Sequence, residues 1–560
     1  MPTIPAPTVR KSAFTQLGLP RTVALLTEEI RELYRADDVP WIIGYSGGKD
    51  STATLQLVWL ALSELPQDQR TKTVHVISTD TLVENPIVAT WVQKSLEVMG
   101  QKAKAEAIPI RPNRLTPKVE DSYWVNLIGK GYPAPRHKFR WCTERLKIKP
   151  SNSFINSIVK ASGEAILVLG TRKAESARRA ANMTKHEAGR IRERLSPNSS
   201  LPGSLVYTPI EDWSNDDVWM FLMQVANPWG YNNKDLLGMY AGASADGECP
   251  LVVDTSTPSC GDSRFGCWVC TLVEQDKSMT AMIRNDEEMS WMEPLLFLRN
   301  ATDFRWLQDE QKPEVIKEYV RSKTQIWEHP SCAPLKELLL SRARKPLEQI
   351  ALENWEKYLR DFRRMNGSVQ IFYDDALHGP YVQRARECWL RLLLGAQTQL
   401  QKRCPASYGK LELITLEELQ EIRRIWVVDK HEMEDNLPGI YEDTIGQQYP
   451  GKRLDDNLVL GSEEMTELHT LCGDDQMHYE LTRELLSVER QQRAHARRSG
   501  LFEQLEKSMG RHFYDDKEDA VATARRRTEA RDQARSGQRD TDASGPATAE
   551  SSSAETRTTL

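Results

Sequence analysis

The sequence predicts an α/β protein with a doubly wound, mostly parallel sheet, a cysteine-rich insertion and a C-terminal helical region. From about residue 22 to 225, short apolar and β-branched runs alternate with longer helical patterns, which is typical of a parallel sheet layered by helices. Glycine, serine, proline and cysteine are concentrated between 241 and 273. Beyond about residue 281 the pattern becomes helical and charged.

Three runs are the clearest predicted strands: WIIGYS (41–46), TVHVIST (73–79) and EAILVLG (164–170). Such near-continuous apolarity is expected of strands that helices cover on both faces. Residues 51–64 repeat apolar side chains at spacings of three and four, which predicts the helix that crosses back after the first strand. Much later, Thr415 and Glu418 have the spacing of a capping box and predict a helix start.

Shifts in composition divide the chain into five predicted segments. They are an N-terminal arm (1–21), an α/β domain (22–240), a cysteine-rich segment (241–280), a helical accessory region (281–515) and a disordered tail (516–560). The tail is expected to be disordered because, from about residue 520, it has almost no large apolar side chain whose burial would offset the entropy of ordering.

Composition excludes several classes of protein. The 560 residues contain 74 Lys and Arg against 80 Asp and Glu, a net charge of −6, which excludes a strongly polybasic nucleic-acid binder. We expect a cytoplasmic protein without membrane contact, since no run approaches the roughly 18 apolar residues of a membrane span and the start has no signal-peptide core. Nine cysteines are too few for a disulfide scaffold in a reducing compartment, so a cluster of them points to a metal or to catalysis.

The most informative string, SGGKDS, follows a predicted strand and opens a predicted helix. Its members are Ser46, Gly47, Gly48, Lys49, Asp50 and Ser51. The glycines allow the backbone to approach an anion, and the helix N-terminus and serine hydroxyls can donate hydrogen bonds to it. Lys49 would neutralise phosphate charge, and Asp50 is a candidate Mg²⁺ ligand. The alternative is a glycine-containing turn that Ser and Asp merely cap.

SGGKDS resembles the pyrophosphate-binding loop of the ATP pyrophosphatases, which cleave ATP between its α and β phosphates. Four further strings, in order, resemble the phosphoadenylylsulfate reductase-like branch of that family: STDTLVEN with Asp80, HKFRWCTERLKIKP (137–150), GTRKAESARR (170–179) and PIEDWSNDDVWMFL (209–222). Together the five motifs cover about the first 225 residues. The resemblance implies an adenine nucleotide alpha-hydrolase-like fold in 22–240 that binds ATP and Mg²⁺.

The resemblance also implies site residues outside the loop. Arg172, Glu175 and Arg179 would join Asp80 in binding the nucleotide, with Arg172 catalytic alongside Lys49 and Asp50. Guanidinium groups suit phosphate or sulfate oxygens, and the alternative for the two arginines is salt bridging with Glu175 and neighbouring acids. Three residues of the last string are expected to begin and pack a helix instead: Trp213, Asp217 and Trp219.

Three cysteines are clustered with the spacing C-x6-C-x2-C: Cys260, Cys267 and Cys270. A C-x2-C pair can place two thiolates on one ion or cluster. The resemblance supplies Cys142 as a fourth ligand and implies a [4Fe–4S] cluster, with Cys249 in reserve. Structural zinc and unliganded thiols remain the alternatives, because spacing does not separate them.

The string from 248 to 280, ECPLVVDTSTPSCGDSRFGCWVCTLVEQDKSMT, resembles a specific branch, the DndC-type sulfurtransferases of DNA phosphorothioation. This resemblance implies that ATP activates a DNA backbone phosphate before sulfur replaces a non-bridging oxygen. Its expected partners are DNA, a cysteine desulfurase as sulfur donor and other phosphorothioation subunits. Candidate DNA contacts in the helical region are Arg342, Arg344, Lys345, Arg363, Arg364, Arg384, Arg386, Trp389 and Arg391, with the arginines between 525 and 538 adding a looser attraction.

Several alternatives stay open at this point. The chain can be a phosphoadenylylsulfate reductase-like or tRNA-thiolating enzyme, a relative from single-strand phosphorothioation, or a non-enzymatic ATP-binding iron–sulfur subunit of a defence complex. A sulfate-pathway reductase is expected to carry a catalytic cysteine in its C-terminal tail. No cysteine follows Cys472, and Trp141 stands where the double-cysteine variant has its first thiol, which disfavours the reductase.

Overall fold

The computed structural model describes most of the chain. The described residues are 12–136, 139–187, 194–198, 200–243, 266–273, 275–302, 370–372, 375–377, 380–381, 383–409, 411–451, 460–473, 475–493, 500–509 and 517–542. The described residues of Met1–Ala351, Gln383–Asp429 and Asp435–Asp456 form one compact unit. Those of Leu352–Val382, Lys430–Glu434 and Asn457–Leu560 form a second.

A six-stranded sheet is the centre of the first unit. Its strands are β1 (Trp41–Gly44), β2 (Val74–Thr79), β3 (Ile110–Leu115), β4 (Ala165–Val168), β5 (Ser196–Pro197) and β6 (Ser204–Tyr207). They lie in the order β3-β2-β1-β4-β6-β5, and every pairing is parallel except that of β5 with β6. The predicted doubly wound, mostly parallel sheet is therefore confirmed, and its three clearest predicted strands are β1, β2 and β4.

Helices cover both faces of this sheet. In the α/β domain they are α1 (Gly18–Arg35), α2 (Lys49–Ser63), α3 (Pro86–Ala105), α4 (Lys149–Ser162), α5 (Ala177–Glu187), α6 (Asn215–Gln224) and α7 (Asn233–Gly242). Successive strand residues face opposite sides, so Trp41 and Ile43 belong to one apolar cluster while Ile42 belongs to another. This two-sided burial is the reason that the strands read as unbroken apolar runs.

The last motif of the α/β domain folds as a helix start. Ser214 is the N-cap of α6, and its hydroxyl accepts the Asp217 N–H at 3.0 Å while Asp217 accepts the Ser214 N–H at 2.8 Å. Trp213 and Trp219 are buried in the core. The expectation that these residues begin and pack a helix is confirmed.

Part of the predicted accessory region belongs to the first unit. Its helices there are α8 (Lys277–Asn285), α9 (Glu293–Thr302), α10 (Gln383–Arg403), α11 (Leu416–Arg424) and α12 (Leu437–Ile445). Thr415 caps α11 with the predicted capping box to Glu418. The indole N–H of Trp426 donates to the Ile128 carbonyl at 2.9 Å, so this region packs directly on the α/β domain.

Three candidate DNA contacts on α10 are buried instead: Arg386, Trp389 and Arg391 are only 3%, 2% and 6% exposed. The Arg386 guanidinium lies over the Trp426 ring at 5.4 Å, and Arg391 pairs with Asp443 at 3.4 Å. Assigning these three residues to a DNA-binding face was wrong, because they serve the packing of α10. The candidates between 342 and 364, and the side chain of Arg384, lie outside the described residues.

The second unit contains a short hairpin and four helices within its described part. They are β7 (Gln370–Phe372), β8 (Asp375–Leu377), α13 (Ser462–Cys472), α14 (Gln476–Arg493), α15 (Leu501–Met509) and α16 (Lys517–Asp542). Helix α16 differs from the predicted disordered tail. Its sequence is rich in Ala and Arg, residues of high helix propensity, so local preference supports a helix where apolar burial is scarce.

Nowhere in the described chain is a helix both long and apolar enough to cross a membrane.

Candidate active site

A cavity of about 960 Å³ lies at the carboxyl ends of the parallel strands β1, β2 and β4, where open α/β sheets bind ligands. All the nucleotide-binding residues predicted from the sequence line it: Ser46, Gly47, Gly48, Lys49, Asp50, Ser51, Asp80, Arg172, Glu175 and Arg179. The structure therefore brings together residues from three separate motifs. Their binding of a nucleotide remains a prediction.

The loop between β1 and α2 is held open by local geometry. Gly47 has a φ of +73°, in the left-handed region, and a Cβ at this position would run into the Val92 side chain. Ser51 Oγ donates to the Gly48 carbonyl at 3.0 Å and accepts the Ser46 N–H at 3.2 Å. Because α2 begins directly after this loop, its positive dipole end faces an anion placed there.

Asp50 is held between two cations. Arg172 Nε donates to Asp50 Oδ1 at 2.7 Å, and Lys49 Nζ lies 3.3 Å from Oδ2. The Arg172 side chain is 4% exposed and also donates through Nη1 to the Trp213 carbonyl at 3.2 Å. Arg172 thus orients Asp50 from below the cavity surface. A Mg²⁺ ion at Asp50 would share its carboxylate with these two cations.

The other predicted nucleotide-binding side chains are paired within the cavity wall. Glu175 accepts the Arg172 N–H at 3.0 Å and forms an ion pair with Arg179, whose side chain is 44% exposed. Arg179 therefore has the salt bridge that the sequence left as the alternative. Asp80 accepts a hydrogen bond from Arg114 Nε at 3.0 Å.

Gly170, which opens the fourth motif (170–179), packs against the first turns of α2. A Cβ there would lie 2.7 Å from the Asp50 carbonyl oxygen and 2.9 Å from Thr54 Oγ1. The absence of a side chain therefore sets how closely the loop after β4 approaches the first turns of α2.

Tyr240, near the end of α7, covers the loop from the other side. Its hydroxyl accepts the backbone N–H of Lys49 and lies 3.2 Å from where a Cβ of Gly48 would be. The Lys49 ammonium lies 5.5 Å from the centre of its ring, and Trp219 packs edge-on against that ring at 5.3 Å. Burial, with the Asp50 charge nearby, raises the pKa of Tyr240 to about 12, so the phenol keeps its proton at neutral pH.

The cysteine-rich segment joins the same cavity wall. Cys267 forms an isolated antiparallel bridge with Glu84, and the Trp268 N–H donates to the Val83 carbonyl at 3.0 Å. The Cys267 thiol lies 3.8 Å from Glu84 Oε1, which in turn is 3.3 Å from Lys147 Nζ. Glu84 and Lys147 both line the cavity, so the thiol lies directly behind its wall.

Cys142, Cys267 and Cys270 are partly buried and close enough to interact electrostatically. Burial raises the pKa of the Cys142 thiol, and burial together with Glu84 raises that of Cys267 to about 12. The Cys270 N–H donates to the Cys267 carbonyl at 3.0 Å, which closes the tight turn between the two thiols. Soft thiol donors of this kind suit an iron–sulfur cluster or zinc.

The remaining proposed ligand, Cys260, and the reserve ligand, Cys249, lie outside the described residues. Within the described ranges, no three His, Cys, Asp or Glu side chains are arranged to hold a metal ion. The thiol chemistry of Cys142, Cys267 and Cys270 suits an iron–sulfur cluster. A complete cluster site requires a further ligand from residues 244–265, or a rearrangement of these three thiols.

Residues 40–230, about a third of the chain, match the family model for the phosphoadenosine phosphosulfate reductase domain. This part of the chain is similar to that domain. This match confirms the broader resemblance seen in the motifs, and it spans β1 to β6 with the loop at 46–51.

Two further similarities were found. Over 200 residues the chain is 26% identical to an uncharacterized protein of Methanocaldococcus jannaschii; the alignment covers 36% of this chain and 35% of that protein. The chain therefore spans about a third of the length of this curated relative. The structure of U34-tRNA thiolase NcsA from Methanococcus maripaludis with its [4Fe-4S] cluster aligns with 39% of this chain and 72% of its own, at 13% identity and a TM-score of 0.22.

Among the cavity residues that sequence reasoning missed are three charged side chains and a tyrosine: Glu84, Arg114, Lys147 and Tyr240. Glu84 and Lys147 stand inside strings that the resemblance had already singled out, so their charge was a usable signal. Arg114 is the next-to-last residue of β3, a strand that the apolar pattern did not predict because several of its residues are polar. Tyr240 belongs to no motif, and only the packing of α7 brings it to the loop.

Proposed function

We propose that this protein is an ATP pyrophosphatase and sulfurtransferase that activates a DNA backbone phosphate for replacement of a non-bridging oxygen by sulfur. One observation carries the proposal: the Cys267 thiol contacts Glu84 in the wall of the cavity that the phosphate-binding loop opens into. A site for ATP activation and a candidate sulfur relay are therefore adjacent. The domain match supports chemistry of this general kind.

The reaction proceeds in two displacements at phosphorus, followed by reductive cleavage of the sulfur–sulfur bond. A non-bridging oxygen of the DNA phosphate attacks the α-phosphorus of ATP, pyrophosphate leaves, and an adenylylated phosphate results. The terminal sulfur of a persulfide, delivered by a cysteine desulfurase, then attacks the DNA phosphorus, and AMP leaves with the original oxygen. A thiol reductant next attacks the inner sulfur of the persulfide, so the S–S bond breaks, the phosphorothioate stays on the DNA and a disulfide forms. Both displacements need positive charge and in-line placement more than covalent help from the protein.

The chain's own residues supply that charge and placement. Lys49 and the N-terminus of α2 stabilise the departing pyrophosphate, since both present positive charge at the loop. Asp50, oriented by Arg172, would hold the Mg²⁺ that accompanies the phosphates of ATP. Lys147 places a further cation between the loop and the cysteines.

A [4Fe–4S] cluster would be held by Cys142, Cys267, Cys270 and a cysteine from the 244–265 segment, Cys260 or Cys249. When bound, it would supply either electrons or an iron site for sulfide. Since Cys267 contacts Glu84 in the cavity wall, this chemistry would take place next to the proposed ATP site.

The test is anaerobic purification with iron, sulfide and zinc analysis, and an assay of pyrophosphate release from ATP on the same sample with and without DNA. We expect about four irons per chain and pyrophosphate release that DNA stimulates. Asp50→Ala is expected to abolish release while iron stays bound, and Cys267→Ser to lose iron. Matched controls are Asp212→Ala, an exposed carboxylate that pairs with Lys173, and Cys404→Ser, whose thiol lies by its own chain neighbour Pro405.

Each alternative has its own outcome. Stimulation by tRNA rather than DNA would indicate a tRNA-thiolating enzyme. Zinc with no ATP turnover would indicate a structural thiolate site on a nucleotide-binding subunit. Equal release by Asp50→Ala and the parent protein would refute the assignment of the loop.

A further inference from the structure

We propose that Tyr240 is a phosphate ligand of the ATP site, whose hydroxyl holds the Lys49 N–H in the free protein and donates a hydrogen bond to the nucleotide's pyrophosphate group when it binds. This inference rests on the proposed function. It adds a substrate-contacting residue that no motif contains, on α7, outside the loop and its following helix.

The contact geometry places the hydroxyl where a phosphate oxygen would bind. The Lys49 N–H belongs to the first residue of α2, one of the donors that a helix leaves without an intrahelical partner. Tyr240 accepts it, and the phenol oxygen is 3.2 Å from the position of a Gly48 Cβ. An anion drawn to this helix end therefore meets the tyrosine hydroxyl as a direct neighbour.

The ring is fixed independently of the hydroxyl. Trp219 packs against one edge of the ring, and Lys49 lies over its face. Because these contacts involve the ring alone, the hydroxyl can rotate from accepting the Lys49 N–H to donating its proton to phosphate without moving the side chain. The raised pKa of this buried phenol keeps that proton in place over the neutral range.

The same contacts identify a variant that tests the hydroxyl separately from the ring. Tyr240→Phe removes the hydroxyl and keeps the ring between Trp219 and Lys49. Tyr231→Phe is the matched control: this tyrosine precedes α7, its hydroxyl donates to the Trp91 carbonyl at 3.1 Å, and it does not line the cavity. Both variants lose one buried or half-buried phenol oxygen, so a general effect of that loss should appear in both.

The experiment measures binding of ATP, inorganic pyrophosphate and adenosine to the full chain, together with its denaturation midpoint. A hydrogen bond from a neutral donor to a charged phosphate predicts about tenfold weaker binding of ATP and of pyrophosphate in Tyr240→Phe. Adenosine has no phosphate, so its affinity is expected to stay unchanged. Tyr231→Phe is expected to match the parent protein for all three ligands.

The outcomes separate this proposal from the proposed function. If the parent protein binds ATP and Tyr240→Phe binds it equally or more tightly, the phosphate contact is overturned while the ATP site stands. An equal loss for adenosine would show general damage to the site and would also overturn the contact. A parent protein that binds neither ATP nor pyrophosphate would overturn the proposed function and this inference with it.

Discussion

Gly170→Ala tests whether the close approach of the β4 loop to α2 sets the geometry of the phosphate-binding loop. The new Cβ would lie 2.7 Å from the Asp50 carbonyl oxygen, 2.9 Å from its carbonyl carbon and 2.9 Å from Thr54 Oγ1. Ordinary contact begins at 3.4 Å, so the two segments must separate by about 0.5–0.7 Å. Two of these three atoms are backbone and cannot rotate aside.

Overpacking of this size costs about 1–3 kcal/mol of the free energy of unfolding. The displaced residue is Asp50 itself, and misplacing a reacting group by a fraction of an ångström to an ångström lowers rates by about 10- to 100-fold. We therefore expect Gly170→Ala to lower pyrophosphate release by that factor and to reduce stability in urea denaturation. The substitution leaves every charged group in place, so the loss would come from geometry.

Gly238→Ala is the matched control, because Gly238 lies within α7 and a Cβ there meets nothing within 4 Å. Alanine in a helix interior is favoured over glycine by about 0.5–1 kcal/mol, so this variant is expected to be slightly more stable and equally active. Gly170→Ala with the stability and pyrophosphate release of the parent protein would refute the reasoning.

Two further predictions concern buried charge. Arg172→Met removes the hydrogen bonds to Asp50 and to the Trp213 carbonyl and is expected to cost about 2–4 kcal/mol in urea denaturation, with loss of pyrophosphate release. Arg172→Lys should recover less than half of that stability, since an ammonium lacks the guanidinium fork; full recovery would show that only the charge matters. Burial lowers the pKa of His75 below its ordinary value of 6.5, and the positive charge of Arg111 lowers it further. The unfolded chain therefore takes up a proton at a higher pH than the folded one. The stability contributed by neutral His75 is present above pH 6.5 and is lost as the pH falls toward the lowered pKa. The denaturation midpoint of His75→Leu should therefore decline less steeply across that range than the midpoint of the parent protein. Parallel declines of the two proteins would contradict this prediction.

Much of the α/β domain was predictable because its signals are local. The apolar runs around Trp41 and Ile166 predict strands, and their two-sided burial follows from the same pattern. The strand–loop–helix geometry at 46–51 was predictable because a strand, two glycines and a helix start are adjacent in the chain. The capping box at Thr415 also depends on neighbours only three residues apart.

The helical region shows where local signals fail. Basic residues such as Arg386 and Arg391 look like a solvent-facing or DNA-facing stripe, since charge favours exposure. Both are buried because partners from elsewhere in the chain stabilise their positive charge: Arg386 lies over the Trp426 ring, and Arg391 pairs with Asp443. In α16 the opposite holds: helix propensity supports order where low hydropathy predicts disorder.

The sequence by itself determined which segments form the sheet, where the glycine-containing loop at 46–51 lies and which residue types stand in the motifs. Only the tertiary structure decided how these groups are paired: Arg172 with Asp50 across 122 residues of chain, Cys267 with Glu84 across 183, and Tyr240 with the first N–H of α2. The physical reason is that periodicity and capping act between chain neighbours. Contacts between distant residues depend on the order and twist of strands and on how each helix packs, which no single segment encodes.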